Sequence, residues 1–179
     1  CIYCMKDSKI WHGIMKIEEL LHLDSSGNIL YKENDIYNIL HLEGEERILS
    51  SVFLGGPVNN TYIPANYYLG LDNRATLSIS DTLASLVGEP SGFGYARQPV
   101  SSSTGFNLIV STNTVQARSN VTLFSATTNS WGPVSNLFLC NVSSGTSGQL
   151  YSSATLNKSL IVNTGESVSV RFAMTLKNC

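Results

Sequence analysis

The chain has 179 residues, 42% of them hydrophobic and only 13% charged, and a formal net charge of −2. That length holds one domain with a proper core, or one domain with an appendage. The charged share is about half of the usual ~25%, so the surface is built of Ser, Thr and Asn, which a partner can cover with little ion desolvation. No cluster of Lys and Arg is available to neutralise phosphates, which argues against nucleic acid. There is no apolar run of about 18 residues and no signal-peptide pattern, so a soluble chain without a membrane partner is expected.

Charge concentrates between Lys6 and Arg47, whereas Ser101 to Thr164 is nearly free of acids. This divides the chain into an N-terminal arm or docking region, residues 1–54, and a body, residues 55–179. In Leu20–Lys32 the turn cluster Asp24–Asn28 sits between apolar flanks, a hairpin signal. Asp24 does not open an EF-hand loop, because its glycine is out of register and Asp35 stands where the closing Glu is needed. Ile36, Ile39, Leu40, Ile48, Leu49, Val52 and Phe53 then recur at spacings of three and four. They predict an amphipathic helix capped at Asn34 or Asp35, broken at Gly44 and stopped by Gly55–Pro57. A second short helix is expected over Ser80–Val87, with Asp81 as its cap and Leu83, Leu86 and Val87 facing inward.

From Tyr67 onward, β-rich runs are separated by turn residues at intervals of about 8 to 12. In the last run Val168, Val170, Phe172, Met174 and Leu176 alternate with Ser167, Ser169, Arg171, Ala173 and Thr175, so one face is buried. Hairpin-sized gaps imply antiparallel pairing, and so many strands must cover one another. The fold class is therefore mainly β: a jelly-roll-like antiparallel β-sandwich with an N-terminal hairpin-plus-helix region.

The chemistry is sparse. Gly88–Val100, GEPSGFGYARQPV, has the glycines of a phosphate loop but lacks the following helix such a loop needs. It reads as a shaped corner, with glycines at positive φ and Phe93 or Tyr95 folded onto the core. Cys1 and Cys4 form a CxxC pair that could be half of a zinc site completed by His12 and His22, although the two histidines are spaced far beyond the usual three to five residues. A disulfide or free thiols is the alternative for the pair. Cys140 reads as a small buried hydrophobe. No serine lies in G-x-S-x-G, and the cluster His41, Glu43, Glu45, Glu46 reads as a solvated helix start. No catalytic residue and no cofactor beyond that zinc is expected. Trp131, Tyr67 and Tyr151 are the aromatics a sugar-binding module would use for stacking.

Four segments in order, Asn38–Phe53 (NILHLEGEERILSSVF), Tyr67–Arg74 (YYLGLDNR), Leu86–Val100 (LVGEPSGFGYARQPV) and Trp131–Cys140 (WGPVSNLFLC), resemble small virion structural proteins of tailed bacteriophages. The resemblance covers Asn38 to the C-terminus and leaves the CIYC start unmatched. It implies a particle component without enzymatic activity, assembled in the bacterial cytoplasm. Its partners would be the major capsid protein or tail proteins, and it would be a homo-oligomer, with a trimer suited to three-fold shell positions. Capsid decoration is the first expectation. A tail or baseplate component, or a carbohydrate- or receptor-binding module, is the alternative.

Overall fold

The structure is a computed structural model, and it describes residues 11–53, 63–112 and 114–178. The chain opens with a long hairpin, β1 (Trp11–Leu23) and β2 (Ile29–Tyr37). Its turn is the expected one. The Asp24 carboxylate accepts the backbone N–H groups of Ser26 at 2.9 Å and Asn28 at 2.8 Å, and Gly27 supplies the positive φ of +83° that closes the turn at no steric cost.

The short β3 (Ile39–Leu40), the helix α1 (Leu42–Phe53) and β4 (Asn66–Asp72) follow. Then come β5 (Gln98–Ser101), β6 (Phe106–Ser111), β7 (Thr114–Ser119), β8 (Thr122–Ser125), β9 (Trp131–Cys140), β10 (Leu150–Val162) and β11 (Ser167–Asn178). They make two antiparallel sheets. Sheet A runs β2-β1-β11-β7-β6, with β8 pairing the other half of β11, and sheet B runs β3-β10-β9-β4-β5. Within sheet B, β10 runs as one strand through 13 residues.

The core lies between the two sheets. Sheet A contributes Ile17, Leu20, Val168, Val170 and Phe172, and sheet B faces them with Leu69, Leu71, Leu137, Leu139 and Val134. The alternation read in β11 thus points Val168, Val170 and Phe172 inward. Residues 11–37, part of the segment expected as an arm, are strands of sheet A and contribute Ile17, Leu20 and Ile36 to this same core.

Three local expectations change. The helix starts at Leu42 rather than Asn34, because Ile36 pairs with Ile17 in the β1–β2 ladder and Ile39 and Leu40 pair with β10. Its apolar residues Leu49, Val52 and Phe53 are exposed, while Gly44 and Ser50 face the protein. A Cβ on Gly44 would run into the carbonyl oxygen of Tyr151, so glycine lets the helix sit directly on β10. The second helix is only a 3₁₀ turn, Leu83–Ser85, capped by Thr82 instead of Asp81. Leu83 is buried but Val87 is exposed. The Gly55–Pro57 stop lies outside the described residues.

These placements predict a sharp contrast between two phenylalanines. Phe172→Ala should cost about 3–5 kcal/mol by emptying the core, and Phe53→Ala should change stability by less than about 0.5 kcal/mol. Urea unfolding of the two variants checks it.

Candidate functional site

The glycine-rich stretch is a corner, and its chemistry is structural. Gly88, Gly92, Phe93 and Gly94 all take positive φ. A Cβ at Gly94 would meet the Ser125 carbonyl at 2.7 Å, so the chain there lies directly against the end of β8. Of the two aromatics, Tyr95 is buried and Phe93 stays half exposed. The Tyr95 hydroxyl accepts the Leu71 N–H at 2.8 Å and lies 3.2 Å from Glu89 Oε1. Burial first, then the Glu89 charge, pushes that phenol well above its ordinary range.

Glu89 grips Arg97 through two bonds of 2.7 Å. The guanidinium also donates to the carbonyls of Val142 and Gly145 and lies 5.2 Å from the Phe138 ring centroid, a cation–π contact. Phe138 in turn fills the space over Gly70, where any Cβ would strike its ring. Cys140 lies beneath, fully buried. Burial pushes its thiol up, which keeps it protonated and a poor nucleophile.

A second polar cluster joins α1 to sheet B. Arg74 Nε donates to Asp72 at 2.6 Å, Nη1 to Asp81 at 2.9 Å and Nη2 to Ser153 Oγ at 2.7 Å. Ser153 Oγ is 2.8 Å from His41 Nε2, and His41 Nδ1 is 2.9 Å from the Ser78 carbonyl. The carbonyl can only accept, so Nδ1 carries the proton and Nε2 accepts from the serine. Asp72, His41 and Ser153 are all buried. Burial pushes the Asp72 carboxyl up against the pull of Arg74.

This places a serine beside a histidine, yet the pair lacks the features of a nucleophile and base. The serine is covered, its oxygen also accepts from Arg74, and a carbonyl rather than a carboxylate orients the imidazole. The cluster fixes the start of α1. Glu43 helps by accepting the Leu150 N–H at 2.8 Å. His41, expected on a solvated helix start, is instead buried just before the helix, whereas Glu45 and Glu46 are exposed as expected.

One accessible feature among the described residues is apolar. Between the last turns of α1 and the inner face of sheet A lies a groove of about 350 Å³, with Val52 and Ile63 on its sides and Phe106, Ala117 and Met174 along sheet A. Tyr151 borders it. Its buried hydroxyl has no partner among the described residues, and burial has pushed its pKa up to about 12.

Cys1 and Cys4 lie outside the described residues. His12 and His22 stand ten residues apart on the single strand β1, about 33 Å at 3.3 Å per residue, so one ion cannot take both. His22 is instead 2.8 Å from Glu166, a carboxylate that also accepts the Asn163 backbone N–H in the β10–β11 turn. Among the described residues no group of three His, Cys, Asp or Glu could hold a metal. Of the aromatics considered for stacking, Trp131 and Tyr151 are buried and Tyr67 is half-buried. No family model, curated protein or solved structure matches the chain.

Two predictions follow from the clusters. Glu89→Gln leaves Arg97 buried without its counter-charge and should cost about 3 kcal/mol. Glu89→Gln with Arg97→Met should recover most of that loss in thermal unfolding. Burial lowers the His41 pKa from 6.5, with Arg74 adding to it and the Ser78 carbonyl, Asp81 and Glu43 opposing. The folded state therefore binds fewer protons than the unfolded one. The stability from neutral His41 is present above about pH 6.5 and is lost as pH falls through the folded-state value. The melting temperature should drop between pH 8 and pH 5, and His41→Gln should melt lower at pH 8 but with a shallower pH slope.

Proposed function

We propose that the chain is a structural component of a bacteriophage particle, a decoration protein that binds and stabilises the capsid shell through protein contacts. The observation that carries the reading is where the apolar side chains lie outside the core. Leu49, Val52 and Phe53 on α1 project from a two-sheet body into solvent. Large exposed apolar clusters mark surfaces that a partner covers. On a chain with 13% charged residues, covering them displaces few ions.

The segments that carry the virion resemblance support a scaffold role as well. Leu86–Val100 is the corner, with Tyr95 and Arg97 tied to Glu89. Asn38–Phe53 holds α1, whose exposed face is the proposed docking face. The reading assigns no catalytic residue and no cofactor, and it takes the major capsid protein as partner. A tail or baseplate location would use the same surface. The sugar-binding alternative is less well supported, because its stacking residues Trp131 and Tyr151 are spent in the core.

Electron microscopy of purified particles with antibody against this chain tests the reading. Label on the head at fixed stoichiometry is expected. Label on the tail moves the assignment to the tail component, and particles that lack the chain overturn both. Val52→Glu with Phe53→Glu should lower occupancy on shells about tenfold or more while leaving the melting temperature of the isolated chain within a few degrees.

A further inference from the structure

We propose that β6 is a self-association edge, through which two copies of this chain join their six-stranded sheets by antiparallel β6–β6 pairing. The inference stands independently of the virion reading.

A terminal strand leaves backbone N–H and C=O groups unpaired, and folded proteins block such edges by shortness, charge, proline, bulges or a covering segment. Of the five terminal strands among the described residues, four are blocked in these ways. β2 carries Lys32, Glu33 and Asp35, the last at a positive φ of 53°. β3 is two residues long. β5 has four residues and contains Pro99. β8 has four residues, and the glycine corner packs against Ser125 at its end.

Among the described residues β6 has none of these devices. It is six residues long, Phe106–Ser111, without charge or proline, and it pairs with β7 in unbroken register from Phe106↔Ser119 to Ser111↔Thr114. The nearest charge on β7, Arg118, is neutralised by Glu18 of β1 at 2.6 Å, so two such edges would meet without repulsion.

The side chains favour a second copy over other occupants. Phe106, Leu108 and Val110 share one face of the strand. Phe106 packs against Phe172 in the core, but Leu108 and Val110 are 70% and 69% exposed, because sheet B does not reach that end of sheet A. Antiparallel pairing of two β6 strands lays the Leu108 and Val110 of both copies side by side on one continuous face. Main-chain bonds would supply affinity and these four side chains the register. The contact is isologous and closes as a two-fold pair, so even-numbered assemblies are expected in place of the trimer anticipated from sequence.

Light scattering of the full chain across a concentration series tests the pairing, with hydrogen exchange at β6 read in parallel. The expected result is a species of twice the chain mass whose β6 amides are protected. Leu108→Lys should raise the dimer dissociation constant about tenfold or more and expose those amides. Ile161→Lys, at an exposed apolar position on β10, should leave both readouts unchanged. Both variants should keep the parent circular dichroism spectrum. Should Leu108→Lys misfold, Val110→Lys carries the same expectation. A monomer at every concentration, a dimer that persists in both lysine variants, or association only with an added foreign strand peptide would overturn the proposal.

Discussion

The burial of Arg74 is the constraint around which the rest is arranged. A guanidinium cannot shed its proton in a protein, so once the fold covers it, each of its nitrogens needs an acceptor or the fold loses several kcal/mol. Asp72 of β4, Asp81 of the following loop and Ser153 of β10 supply those acceptors. Ser153 can serve Arg74 only because its own proton has somewhere to go, and His41 provides that site. The polar chain thus ties β4, β10 and the start of α1 into one unit. Gly44 completes it by allowing the helix backbone to rest on Tyr151.

Arg97 solves the same problem on the outer face of sheet B. Leu83, Phe138, Cys140 and Leu150 form a second small cluster there, which needs a cover to stay dry. The loop between β4 and β5 is that cover. Glu89 and Arg97 hold it down, and the positive-φ glycines let it turn tightly enough to reach. Sheet B is therefore packed on both faces, whereas β6 and β7 of sheet A extend past their cover. That asymmetry leaves the apolar groove and the bare β6 edge on the same side of the molecule.

The sandwich from Tyr67 onward was legible because its strands alternate with a period of two, as β11 does through Val168, Val170 and Phe172. The turn end of β1 was read as a flank of the Asp24–Asn28 hairpin, but the rest of its length escaped for an identifiable reason. Its register shifts between Ile17 and Glu19, so Ile17 and Leu20 are both buried at a spacing of three, and the bulge imitates helical periodicity. Glu33 and Ile36 repeat the effect on β2, with Asp35 at positive φ between them. The helix itself was readable from Ile48, Leu49, Val52 and Phe53, but its orientation was not. Gly44 sets the buried side, and its contact is with a residue more than a hundred positions away. The corner was legible from its glycines, while the His41–Ser153–Arg74 cluster draws on positions 41, 72, 74, 81 and 153, whose proximity is a product of topology. The one local clue was charge in a chain so poor in it.

Part of that sparse charge is internal. Asp72, Arg74 and Arg97 are inside, and Glu33 is buried where it accepts the Asn157 backbone N–H at 3.1 Å, so these four groups do not face solvent. Like-charge repulsion between molecules is then weak. The proposed association through α1 or β6 would depend on shape, apolar area and main-chain bonds, which salt screens far less than ion pairs. Specificity must accordingly come from which edges are closed. Charge, proline, shortness or a covering loop removes β2, β3, β5 and β8 from contention, and the same fold that buries the arginines under sheet B leaves the end of sheet A open. A body built this way would confine the proposed association to defined places, because the other terminal strands among its described residues are blocked, without a charged patch to guide it.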